Sequence, residues 1–162
     1  MGGLLGLPGD ESLPLLEELS RRHPWLAPAV AELSALPLDQ WQGEYTRLFV
    51  NDRPRTRCPP FESAYRGGSM DGPAGTEVAA LYRRAGLGAE AMPPDYLGTE
   101  LECAAFLLER GETALLRELR REHLARWVPR FATDLREAAG LRLYRLLGER
   151  LALLFDGDGG AA

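Results

Sequence analysis

The chain has no lysine. All nineteen of its basic residues are arginine. That excludes a Walker-type phosphate loop, a pyridoxal Schiff base and a lysine general base. Cysteine is nearly as scarce, with only Cys58 and Cys103. Their spacing fits no metal-ligand pattern, and nothing in it demands a disulfide, so a reducing compartment suits the chain. Cys103 falls on an apolar helix and is expected to be buried; Cys58 falls in a loop, which leaves it free to be exposed. Long apolar runs are missing too. None approaches the ~20 residues needed to span a bilayer, and the opening MGGLLGLPGDE has neither a basic start nor a cleavage region. Ser20-Arg21-Arg22-His23-Pro24-Trp25-Leu26 faintly resembles a twin-arginine export signal. An acidic helix precedes it, however, and Glu32 interrupts the apolar run behind it. It reads as the junction of two helices.

Alternating β-branched residues are absent as well, so no sheet is expected. The remaining pattern is helical. At 162 residues the chain suits one domain and can bury about 70% of its unfolded surface without a metal or disulfide. Helices are expected near 13–22, capped by Ser12, with Leu13, Leu15, Leu16 and Leu19 inward, and over 25–36 with Pro28 in the first turn. A third is expected over 39–50, opened by a capping box of Asp39 and Gln42. A short helix capped by Thr76 should end at Gly86, and a longer one should follow Pro93 and Pro94 to about Arg110, with Leu97, Leu101, Ala105 and Leu108 inward. The clearest stripe is Leu116, Leu119, His123, Trp127, Phe131 and Leu135, with Pro129 inside it either kinking the helix or opening a new one. A last helix should run over 141–155. The expected architecture is all-α: a single-domain bundle of about seven to nine helices over residues 1–155, with a flexible tail at 156–162.

The net charge of -5 argues against nucleic-acid binding. Acidic residues dominate residues 1–108, with 15 against 9 arginines, which would favour a basic partner. Enzyme motifs are missing: there is no nucleophile elbow, no dinucleotide fingerprint and no His-Glu-x-x-His. His123 is the one plausible base, and its place on an apolar stripe favours instead a core histidine bonded to a neighbour. No metal site and no cofactor are expected.

The most informative stretch is EYTRLFVNDRPRTRCPPFESAYR, residues 44–66. Leu38, Trp41, Tyr45, Leu48 and Phe49 share a helical face. The prolines then end the helix, and a long loop runs from basic to apolar to polar. Loops of this length are usually functional or disordered, and the aromatic residues at its far end argue for order. A second proline-led segment, Pro93-Pro94-Asp95-Tyr96-Leu97-Gly98-Thr99-Glu100, holds Asp95 as either a helix cap or a ligand. Glu100 and Glu102 are expected on the surface or paired with arginine.

Four motifs in order, Tyr45-x-x-Leu48-Phe49, Pro59-Pro60-x-Glu62-Ser63-x-Tyr65, Pro94-Asp95-Tyr96-Leu97-x-x-Glu100-Leu101 and His123-Leu124-x-x-Trp127-Val128-Pro129-x-Phe131, resemble the TorD/DmsD/NarJ family over residues 38–150. Where that family usually has histidine after the aspartate, this chain has Tyr96. The resemblance implies a non-catalytic cytoplasmic chaperone. Such a protein binds the apo catalytic subunit of a molybdenum-cofactor oxidoreductase, often through its twin-arginine signal peptide, and delays export or membrane assembly until the cofactor is in place. A signal peptide is basic and then apolar, so its receptor needs an apolar groove with acid at one end. The candidate groove residues are Tyr45, Leu48, Phe49, Pro59, Pro60, Phe61, Ser63, Tyr65 and Tyr96. Glu62, Asp95 and Glu100 would meet the arginines. This requires residues 59–65 and 93–100 to lie side by side; the same aromatic residues would equally serve as core. A NarJ-like assembly chaperone for a non-exported subunit and a helical protein that assembles with itself are the rival readings. The chaperone would be monomer or dimer.

Overall fold

A computed structural model describes residues 2–51, 56–67, 73–88 and 93–155. The helices run in order α1 Ser12–Arg22, α2 Ala27–Leu33, α3 Leu38–Tyr45, α4 Glu62–Arg66, α5 Pro73–Arg84, α6 Leu97–Glu109, α7 Thr113–Glu118, α8 Ala125–Ala138 and α9 Arg142–Phe155. Tight 3-10 turns cover Gly2–Leu5 and Pro24–Leu26; wide π turns at Thr46–Val50 and Leu119–Leu124 continue α3 and join α7 to α8. Among the described residues there is no strand, only one isolated antiparallel bridge between Phe61 and Tyr96. The fold is all-α. The basic residues Arg53 and Arg55, the turn cluster at 68–72 and the tail at 156–162 lie outside the described residues.

Chain contacts divide the molecule into two compact units. One comprises Met1–Leu5, Pro60–Arg130 and Phe155–Ala162; the other comprises Gly6–Pro59 and Phe131–Leu154. The second unit has an aromatic core. Phe49 lies against Phe131, Tyr144 and Tyr45, at centroid distances of 6.4, 5.2 and 5.2 Å. Trp41 donates its indole N–H to the Tyr144 hydroxyl at 3.0 Å, which satisfies a donor that would be costly to bury alone. Gly148 lets α9 approach α8 closely, because a Cβ there would stand 2.9 Å from the Ala132 carbonyl. At the edge of this core Glu44 takes hydrogen bonds from Arg47 Nε at 2.8 Å and from the Gly140 amide at 2.5 Å.

Helix ends differ from the sequence expectation in instructive ways. Ser12 does not cap α1; its hydroxyl accepts from Gly9 N, and its own amide returns to Gly9 O. The Asp39–Gln42 box does not form, because α3 starts at Leu38 and Asp39 is already inside it. Asp39 instead accepts from the Gln40 amide, and Gln42 donates to Pro8 O. Thr76 sits within α5, which begins at Pro73. Gly86 and Gly111 do end helices, with φ of 75° and 70°. Pro129 lies inside α8.

Two expected faces were misplaced. On α1 only Leu16 is buried, while Leu15 is 63% exposed. On α6 the buried positions are Leu97, Gly98, Glu100, Cys103 and Leu107, and Leu108 is 69% exposed. The helix turns Glu100 inward, which the apolar pattern alone would not allow. The stripe on α8 came out as read: Trp127, Phe131 and Leu135 are fully buried, as is Leu119 before them. Cys58 is buried rather than exposed, with its amide bonded to Leu48 O, and burial pushes its thiol up to about 12.

Candidate functional site

In the unit containing residues 60–130, the two proline-led segments lie side by side. Proline cannot donate an amide hydrogen, so these segments pair through the few donors they keep. Glu62 N donates to Asp95 O at 3.0 Å, and Leu97 N donates to Pro60 O at 2.9 Å. Between these bonds Phe61 faces Tyr96, ring centroids 5.6 Å apart. Asp95 caps a helix, but not its own. Its carboxylate accepts from the Ser63 amide at 3.0 Å, in the first turn of α4. That external cap matters because α4 is a single turn, too short to hold itself.

Other contacts fix the second segment. Tyr82 of α5 donates to Pro94 O at 2.8 Å, and Tyr96 donates to Leu5 O at 3.0 Å. The Tyr96 ring folds back over α6 at Gly98, where a Cβ would stand 2.5 Å from its Cε1. Any larger residue there would displace the ring.

Behind the pairing lie three buried carboxyl groups and one buried imidazole. Glu62 is fully buried. It accepts from Arg66 Nη1 at 2.7 Å and faces His123 Nδ1 at 3.0 Å. Arg66 also reaches Glu77 at 3.1 Å, and its bond to Glu62 raises its own affinity for the proton. Glu100 is fully buried, and neither of its oxygens makes a hydrogen bond of normal geometry. Burial, then the neighbouring Glu62, hold its carboxyl well above the usual carboxylate range, against the opposing pull of Trp127 and Arg66. His123 is buried and bonded to Glu62, the arrangement of a core histidine held by a neighbour. The buried thiol of Cys103 is pushed up to about 11, first by burial and then by Glu100. Among the described residues no group of histidine, cysteine and carboxylates is arranged to hold a metal ion.

Of the residues singled out from sequence, this unit holds Pro60, Phe61, Glu62, Ser63, Tyr65, Asp95, Tyr96 and Glu100. Phe61, Tyr65 and Tyr96 are half-buried, and Pro60, Ser63 and the three carboxyl residues are buried. Glu100 thus stands inside, where a surface position had been expected. Tyr45, Leu48, Phe49 and Pro59 belong to the other unit, where Leu48 and Phe49 are core. Tyr65 packs on Trp127 with ring centroids 5.5 Å apart, and the Arg130 guanidinium lies over the Tyr65 ring, 5.7 Å from its centroid. Sequence reasoning missed Arg66, for which the i,i+4 spacing from Glu62 was the available signal.

Residues 13–133 match the family model described as nitrate reductase delta subunit. The chain belongs to the nitrate reductase delta subunit family. This is the NarJ/TorD-like chaperone family that its motifs resemble. A crystal structure of a candidate redox enzyme maturation protein from Archaeoglobus fulgidus is similar, with a TM-score of 0.71 and 27% identity over 96% of this chain and 89% of that one. No curated protein matches the sequence. Membership makes the chain a maturation chaperone of redox enzymes, which acts by binding an enzyme subunit. Among the described residues no helix is long and apolar enough to cross a membrane.

Proposed function

We propose that the paired segments at 60–65 and 93–100 receive an arginine-bearing, otherwise apolar stretch of the client. The client would be the apo catalytic subunit of a molybdenum-cofactor oxidoreductase, commonly recognised through its twin-arginine signal peptide. The chaperone holds it in the cytoplasm until cofactor insertion, and then export or membrane assembly follows. One observation carries this reading. The Phe61–Tyr96 pair offers two half-buried aromatic rings on the same paired segments that carry the buried Glu62 and Asp95. Aromatic faces suit an apolar segment and also guanidinium groups. The carboxylates give the negative potential that attracts the basic end. No catalytic step is assigned.

The test is calorimetric. A synthetic peptide with two adjacent arginines followed by an apolar run should bind the wild-type chain. Phe61→Ala should weaken it by about tenfold, as truncating a central aromatic anchor does. Unchanged affinity in a folded Phe61→Ala protein would remove the site.

A second reading concerns the client. The matched family is described by nitrate reductase, which favours a catalytic subunit that assembles on the cytoplasmic side without export. Capture of the partner from the native cytosol separates the two. A client with a working twin-arginine leader supports the first reading; one without it supports the second.

A further inference from the structure

One guanidinium already occupies the acidic side of this site. Arg66 comes from the chain itself, at the last position of the one-turn helix α4. Its Nη1 donates to the fully buried Glu62 at 2.7 Å and to the exposed Glu77 at 3.1 Å. The Arg66 side chain is 24% exposed and the Glu77 side chain 48%, so solvent and any ligand reach this pair from the Glu77 side. Glu62 would not be stranded by losing Arg66. His123 Nδ1 stands 3.0 Å from its other oxygen and can remain as its partner. The arrangement has the parts of an exchangeable site: a carboxylate fixed from behind by an imidazole, and an arginine entering from the solvent side. The turn that carries the arginine is pinned at its start by Asp95, through the Ser63 amide, and by the Phe61–Tyr96 bridge.

We propose that Arg66 is a built-in competitor, an internal guanidinium that holds the Glu62 carboxylate until an arginine of the client displaces it. This rests on the reading that the site receives an arginine-bearing segment, and adds how the site is kept closed without one. An empty buried carboxylate would favour any passing cation and would cost stability. A tethered arginine prevents both, and it sets a threshold that only a ligand with its own arginine and its own apolar contacts can pass. Displaced Arg66 keeps Glu77 as a partner, so the exchange strands no charge.

The experiment uses the full chain and two peptides. One carries adjacent arginines before an apolar run; in the other both arginines are replaced by glutamine. Arg66→Gln should bind the arginine peptide about tenfold more tightly than wild type, the order expected for freeing one charge-assisted acceptor, and should bind the glutamine peptide no better. Arg66→Lys keeps the positive charge but loses the planar guanidinium that bonds Glu62 and should give a smaller gain, about twofold to threefold. It also serves if Arg66→Gln folds poorly. If wild type prefers the arginine peptide but neither variant gains affinity for it, Arg66 is not a competitor and the proposal fails while the site reading stands. If no form of the protein distinguishes the two peptides, the site reading fails and this inference falls with it.

Discussion

The two compact units bury different things. The unit of residues 6–59 and 131–154 is closed by aromatic and aliphatic packing, with its charges kept at the edge: Glu44 and Arg47 bond each other and backbone groups of Ala138 and Gly140. The unit of residues 60–130 buries Glu62, Asp95, Glu100 and His123 inside. Removing carboxylates from water is costly even when they are paired, and apolar replacements of similar shape are often at least as stable. A fold needs no such cluster to hold together, as the other unit demonstrates. Departures of this kind from the apolar rule concentrate where a protein does its work. The difference is the physical reason to seek the proposed client site in the unit of residues 60–130 and support in the other.

The largest test of this contrast is Phe49→Ala. It removes the ring that Tyr45, Phe131 and Tyr144 surround, and should cost about 3–5 kcal/mol in urea denaturation. Client binding should be preserved wherever the protein stays folded. A loss of binding at unchanged stability would break the division of labour. Next comes Glu62→Gln, which keeps the shape but removes the charge shared by Arg66 and His123. We expect a loss of about 2 kcal/mol, visible in hydrogen exchange as faster opening of α4, together with loss of arginine-peptide binding. Third is Glu100→Gln. A neutral amide removes the cost that burial imposes on the charged acid, but its N–H donors gain no partner at this site, so the two effects should nearly offset and stability at neutral pH should change by less than about 1 kcal/mol. A much larger loss would mean that the acid makes an interaction the amide cannot replace.

The same contrast explains what was legible in the sequence. Apolar periodicity reads a helix through its hydrophobic face, so Trp127, Phe131 and Leu135 on α8 were assigned correctly. It fails wherever the buried residue is charged. Glu100 counted as a surface position, and that single misassignment rotated the whole face of α6 towards Leu101 and Leu108. Proline gave the most useful signal. Two segments poor in amide donors seldom stand alone, and residues 60–62 and 95–97 do bond to each other. What the residues could not reveal was direction. Asp95 had the features of a helix cap, and its partner turned out to be α4 rather than the helix it precedes. Caps read locally miss partners supplied by a distant segment.

The smallest expected effect sharpens the comparison through pH. In the aromatic unit, burial alone would raise the Glu44 carboxyl, but hydrogen bonds from Arg47 and the Gly140 amide outweigh it, and the group lies below its ordinary value of 4.5. A carboxyl lowered by folding contributes stability that is present above that ordinary value and is lost as pH falls through the folded one. Glu100 is raised by folding, so its sign is opposite: its folded form is favoured in acid, and stability is lost as pH climbs from the ordinary carboxylate range through the folded value. Glu44→Gln should therefore cost only about 0.5 kcal/mol at neutral pH, since the group is partly solvated and screened, and should flatten the loss of stability on the acid side. Glu100→Gln should leave the acid side alone and flatten the loss on the neutral side. Denaturation midpoints from pH 3 to pH 8 for wild type and both variants would show the two slopes disappearing separately. If both substitutions altered the same limb, the carboxyl groups of the two units would not differ in the way their surroundings require.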